Sequence, residues 1–271
     1  MFYKSIMTII LLIVIGLCSC VVTGCQGDKL VENGVSSHFT FDYADDIKAT
    51  RLFDTVAERE TYKAKALSEM DALFRDFHKR FGFAPDHAIH VTLSETVNGG
   101  KNAAYTTVTY SSDGSIVKLT MHFPHQMFDR KFVRAHELTH AFVAPFNLPT
   151  WVNEGFAVLV ENFYSDTPRH RIFDSLENNI RLDTNGINAV QHWTEGQGIY
   201  ADADMTQWCY RYSHTIVNYI EKKYPGTFAK VFETVNPSRT FTTKAFISVV
   251  DKIITKTDMV AFFTKLGFTN L

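Results

Sequence analysis

The chain has 271 residues, 45% hydrophobic and 14% aromatic, which is enough apolar material for a full core and too much for a disordered protein. Charged residues make up 21%, 27 basic against 29 acidic, and a net charge of −2 excludes the basic footprint of a nucleic-acid binder. Collagen-like, coiled-coil and multi-span membrane classes are excluded by the same composition.

The N-terminus combines a basic Lys4 with a continuous apolar run from Ile6 to Leu17, the pattern of an export segment. Run on to Val22, the same segment is long enough to serve as a single membrane anchor. Val22-Thr23-Gly24-Cys25 resembles the lipobox of bacterial lipoproteins. That resemblance implies a signal peptide over 1–24, acylation of the Cys25 thiol and a lipid-anchored protein of the bacterial cell envelope. Three of the four cysteines lie in this segment, leaving Cys209 in the body of the chain; with Cys25 acylated no intrachain disulfide can form, and stability must then come from the core. Residues 25–40 are polar and contain Gly and Ser, and they read as a tether.

A folded region is expected over 41–271. From Ala57 to Phe81 the residues Tyr62, Ala66, Met70, Phe74, Phe77 and Phe81 recur at helical spacing, and Gly82 stops the helix. Ala88 to Leu93 alternates as a strand. Tyr105–Tyr110 and Ser115–Phe123 read as a hairpin around the turn pair Asp113-Gly114. After Pro124 the pattern is helical: about 129–144, from Trp151 onward, then near 168–181, 206–224, 226–235, 241–254 and 257–267, with Pro225-Gly226 and Asn236-Pro237 as breaks. The fold class is therefore α+β, with a mixed sheet-and-helix part over 41–145 and an all-α part over 146–271.

The chemistry is carried by Arg134-Ala135-His136-Glu137-Leu138-Thr139-His140-Ala141, which contains H-E-x-x-H. On a helix, i and i+4 share a face, so His136 and His140 can present two imidazoles to one ion, and Glu137 can face a water on that ion. Zinc accepts neutral imidazole nitrogens and, with three protein ligands, keeps a position for water. The string Trp151-Val152-Asn153-Glu154-Gly155-Phe156-Ala157 follows closely.

These two segments together resemble the gluzincin metallopeptidases, and in particular the peptidase MA-like family. The resemblance implies a zincin-like fold with a cleft between the two parts, Zn²⁺ as cofactor, and Glu154 as the third ligand beside His136 and His140. It implies hydrolysis of peptides or proteins with Glu137 as general base. Val158 stands where thermolysin-like members carry an aspartate four residues after the ligand glutamate, and thirteen residues separate His140 from Glu154, fewer than in M1 aminopeptidases. Gly99-Gly100-Lys101-Asn102-Ala103 has no acidic residue to hold a free amine, which speaks against an aminopeptidase.

Glu161 shares the helix face of Glu154. It either hydrogen-bonds a ligand histidine or is a solvated carboxylate. Trp208-Cys209-Tyr210-Arg211-Tyr212-Ser213-His214 resembles the aromatic-rich helix of MA-like proteins, which implies Tyr210, or next His214, as the donor that stabilises the oxyanion; packing alone is the other reading of Tyr210. Tyr212 lines up with Trp208, Thr215 and Tyr219 as a core stripe. By the same resemblance an edge strand borders the cleft, either the one near Tyr105–Tyr110 or the one near Ile116–Phe123. Gly196-Gln197-Gly198-Ile199-Tyr200-Ala201 fits G-x-G-x-x-A formally, but no strand precedes it and it is set aside. His90, His122, His125 and His192 read as ordinary histidines, with a substrate-facing role open for His122 and His125, and Cys209 reads as packing. The alternative to a hydrolase is a binding protein on the same scaffold, inactive or using zinc structurally; the intact Glu137 argues against it.

Overall fold

A computed structural model describes residues 38–49, 52–167, 184–193, 203–235 and 241–271. The export segment, Cys25, the helix expected at 168–181 and the Gly196–Ala201 string lie outside the described residues. So does most of the tether.

The described residues form an α+β structure. Strand β1 (Phe39–Tyr43) leads through the short helix α1 (Asp45–Ala49) to the long helix α2 (Val56–Phe81). Strand β2 (Ile89–Ser94) follows, then β3 (Tyr105–Tyr110) and β4 (Ile116–Pro124). Helix α3 (His125–Phe128) precedes α4 (Lys131–Val143), and α5 (Thr150–Phe163), α6 (Thr184–Gln191), α7 (Ala203–Lys223), α8 (Thr227–Thr234), α9 (Thr243–Ile253) and α10 (Met259–Leu266) complete the described order. All of these elements belong to one compact unit. Among the described residues no helix is long and apolar enough to cross a membrane.

Helix α2 starts on a capping box in which the Thr55 hydroxyl accepts from Glu58 N and the Glu58 carboxylate accepts from Thr55 N. It ends on Gly82 in the left-handed region, φ 77°. Its apolar stripe (Leu67, Met70, Phe74, Phe77) is buried, and it packs against β1 and α4. The sheet order is β1-β2-β4-β3, with β1, β2 and β4 parallel and β3 antiparallel to β4. Strand β4 is therefore interior. Strand β3 is an edge, and of the two strands considered for bordering the cleft it is the one with a side free of strand partners among the described residues.

Strand β1 differs from the sequence expectation. Phe39-Thr40-Phe41-Asp42-Tyr43 alternates buried and exposed, so the sheet begins two residues before the expected boundary at 41, and Phe39 and Thr40 are strand rather than tether. Its parallel pairing with β2, remote in sequence, supplies the hydrogen bonds that make so short a run a strand. Helix α6 (Thr184–Gln191) lies outside the helices that the sequence spacing predicts. Tyr212 and Thr215 are buried in the core as the stripe implied, whereas Trp208 is 40% exposed and Tyr219 half-buried.

Helix α5 is joined to the later helices by close contacts. The Trp151 ring on α5 is buried against Phe246, Phe263 and Phe268, and its indole Nε1 donates to Thr243 Oγ1 at 3.1 Å. Helices α5 and α7 meet at Gly155, where a Cβ would lie 2.7 Å from the Ser213 carbonyl oxygen and 2.8 Å from Val217. Backbone cannot yield as a flexible side chain does, so Gly155→Ala is expected to cost about 1–3 kcal/mol through forced separation of α5 and α7. Urea unfolding of the variant checks this; an unchanged midpoint would show that the contact is slack.

Candidate metal centre

Helix α4 presents its buried face (Ala135, Leu138, Ala141, Phe142) to the core, with the Phe142 ring packed edge-on against Phe74 and Phe77. Arg134 fixes the same helix to α2: its guanidinium lies 2.9 Å from Glu69, donates to the Phe128 carbonyl and stacks over the Phe128 ring. The opposite side of α4 carries His136 and His140, their ring centroids 4.8 Å apart. Pro145 sits in a 3-10 turn (Ala144–Phe146) that follows α4, Asn147 turns the chain in the left-handed region at φ 42°, and Pro149 caps α5. This tight connection returns α5 against α4 and brings Glu154, in the second turn of α5, onto the two imidazoles.

The three side chains form a triangle. Glu154 Oε2 lies 3.5 Å from His136 Nε2 and 3.6 Å from His140 Nε2, and one ligand atom from each residue falls within 4.8 Å of the others. Donor atoms about 2.0–2.1 Å from a tetrahedral ion stand roughly 3.3 Å apart, so these separations need only a small contraction. Glu154 Oε2 is buried and accepts no hydrogen bond among the described residues. A buried carboxylate oxygen left in that state is costly, and a cation between it and the imidazoles resolves the cost. The His136, His140 and Glu154 group could therefore hold a metal ion.

The far side of each imidazole is held as well. His136 Nδ1 lies 3.1 Å from Glu161 Oε2, and His140 Nδ1 lies 2.9 Å from Asn153 Oδ1. Each contact assigns the proton to Nδ1 and leaves the Nε2 lone pair for an ion, the tautomer following from the network. Glu161 is thus buried beside a candidate ligand, not solvated. Asn153 is a site residue that sequence reasoning passed over. The signal was its place immediately before Glu154, which puts it toward His140 as the helix turns.

Glu137 is buried, and its Oε2 accepts from the Thr106 hydroxyl at 2.7 Å. The same hydroxyl lies 3.1 Å from the Glu137 carbonyl. Thr106, on edge strand β3, was also not foreseen: no local pattern marks a threonine 31 positions upstream. Burial pushes the Glu137 carboxyl above the usual range, against the lowering effect of His136, His140 and Thr106. Glu154 goes the other way. Burial opposes its charge, but His140 and His136 and the Tyr210 hydroxyl hold it below the ordinary carboxylate range. Burial likewise disfavours a charged His136, yet the Glu154 and Glu161 carboxylates outweigh it and push the imidazole well above its usual range. The surrounding carboxylates therefore favour positive charge in this cavity.

The cleft holds about 500 Å³ and is bordered by β3 on one side and by α4, α5 and Tyr210 of α7 on the other. Tyr210 hydrogen-bonds Glu154 and packs edge-on against Trp193. Burial, followed by the Glu154, Glu137 and Glu161 carboxylates, pushes its phenol well above the ordinary value, so the hydroxyl stays a neutral donor. His214 does not line this cleft. It is buried, with Nε2 3.2 Å from Asn162 Nδ2 near the end of α5. The other histidines also sit elsewhere: His90 beside Asp42, His122 stacked on Tyr105, His125 beside Glu95 and His192 against the Asn188 carbonyl. Cys209 is buried, and burial pushes its thiol up to about 11, which suits packing.

No family model, curated protein or solved structure matches the chain.

The two outer hydrogen bonds orient the imidazoles, so their loss is expected to weaken any metal binding at the site while the three candidate ligands remain. Glu161→Gln and Asn153→Ala are each expected to lower Zn²⁺ affinity by about 10–100-fold, read by competition with a chromophoric chelator. Wild-type affinity in both variants would show that these contacts do not orient the imidazoles.

Proposed function

We propose that the chain is a zinc metallopeptidase of gluzincin type, exported and anchored to the bacterial envelope by lipid on Cys25. The observation that carries the reading is the triangle of His136 Nε2, His140 Nε2 and the unsatisfied Glu154 Oε2, with the buried Glu137 carboxylate on the same helix. A His₂Glu shell is one of the established catalytic zinc shells, distinct from the closed four-ligand sets of structural zinc. An α+β arrangement with the cleft between an edge strand and the helical part suits a zincin-like fold.

Zinc in such a shell supplies Lewis acidity, lowering the pKa of water and polarising a carbonyl. The chain's own residues do the rest. Glu137 takes the proton of the attacking water and delivers it to the leaving amine. Its burial raises its basicity, while Thr106 occupies Oε2 and leaves the other oxygen to exchange the proton. The neutral Tyr210 hydroxyl, beside Glu154, is the donor for negative charge developing on the substrate carbonyl oxygen. Edge strand β3 offers main-chain hydrogen bonds to an extended peptide, which would position the scissile bond over the triangle.

Glu137→Gln is expected to lower kcat by about 10²–10⁴-fold with zinc still bound, measured on quenched fluorescent peptides. Wild-type turnover in that variant would overturn the role of Glu137, and zinc-loaded wild type that cleaves no peptide would favour a binding protein instead. Tyr210→Phe is expected to lower kcat by about 10²–10³-fold with little change in KM. A loss confined to KM would make Tyr210 a substrate contact rather than an oxyanion donor.

A further inference from the structure

A second, larger groove of about 720 Å³ adjoins the metal cleft. Tyr110, at the end of edge strand β3, and Asn147, in the turn between α4 and α5, line both spaces, so the two meet at these residues. The Tyr110 hydroxyl donates to the Ala144 carbonyl at 3.1 Å, which ties the strand end to the end of α4. Its walls include Phe83, Ile116 and Phe146, all buried or half-buried. Asp86 and Asp113 are exposed on its margin.

We infer that this groove is a specificity subsite of the same enzyme, taking a large apolar side chain of the peptide substrate. The inference rests on the proposed peptidase reading. Thr106 marks the position of Glu137 along β3, and Tyr110 marks the groove. Four strand residues span about 13 Å, so an extended peptide laid along β3 reaches the groove about four residues from its scissile bond. Apolar walls select Phe, Tyr, Leu or Met there, and the two aspartates exclude acidic side chains. A peptide that must occupy both spaces extends well past the cleaved bond on that side, which makes cleavage of short substrates inefficient.

The test uses the zinc-loaded full chain and a peptide library with cleavage sites read by mass spectrometry. Large apolar residues are expected to be enriched about tenfold at the position about four residues from the cut, always on the same side, with acidic residues depleted. Asp86 and His87 both line the groove and are exposed, so Asp86→Trp and His87→Trp fill it from its margin, and each is expected to abolish the enrichment. No enrichment in wild type, or the same enrichment in both variants, overturns the subsite. Binding of a fluorescent decapeptide to the Glu137→Gln protein reads the groove without turnover: a Phe-to-Ala change at the selected position is expected to weaken binding about tenfold. Equal binding overturns the subsite whether or not peptides are cleaved. Discrimination in binding without any hydrolysis by wild type supports the groove and overturns the peptidase reading alone.

Discussion

A carboxylate oxygen buried between two imidazole nitrogens, with no hydrogen-bond donor of its own among the described residues, is the constraint around which the site is arranged. Leaving Glu154 Oε2 in that state without a positive charge costs several kcal/mol by ordinary desolvation arguments. The surroundings agree on the sign of the missing charge. Two further carboxylates, Glu137 and Glu161, stand close by, and the imidazole between them is driven toward its protonated form. The cavity is thus electrostatically set for a cation and geometrically set for three ligand atoms.

The fold supplies this arrangement from three directions. Helix α4 is tied to α2 by Arg134 and by the Phe142 ring cluster, which holds the histidine pair in place against α2. Helix α5 returns through a short Pro-bounded turn, which fixes Glu154, Asn153 and Glu161 as one rigid set of contacts. Helix α7 reaches the site because Gly155 lets its backbone approach, and that approach delivers Tyr210 to Glu154. A single glycine beside the candidate ligand Glu154 thereby connects packing to the proposed chemistry.

The parts of this site that were legible in the sequence are those with local spacing. Two histidines four apart on a helix, a glutamate beside them and an Asn-Glu pair after a proline turn are all short-range patterns, and helix geometry turns each into a position. What stayed hidden depends on contacts between distant segments. Thr106 reaches Glu137 only because β3 is the sheet edge, and the edge is decided by strand order, which one-dimensional alternation does not encode. The alternation in Phe39–Tyr43 was readable, yet so short a run becomes a strand only through parallel pairing with β2. Tyr210 and His214 share a helix face, and spacing could not separate them. The close crossing of α7 over α5 does so, putting one in the cleft and the other beside Asn162.

The most direct test of the account is the position of a metal, not the rate of a reaction. Crystals of the full chain grown with zinc, with anomalous diffraction recorded on both sides of the zinc absorption edge, locate the ion independently of any assumption about substrate. One strong peak is expected about 2.0–2.2 Å from His136 Nε2, His140 Nε2 and a Glu154 carboxylate oxygen. A peak bound by other residues, or none at that triangle with zinc in excess, would contradict it.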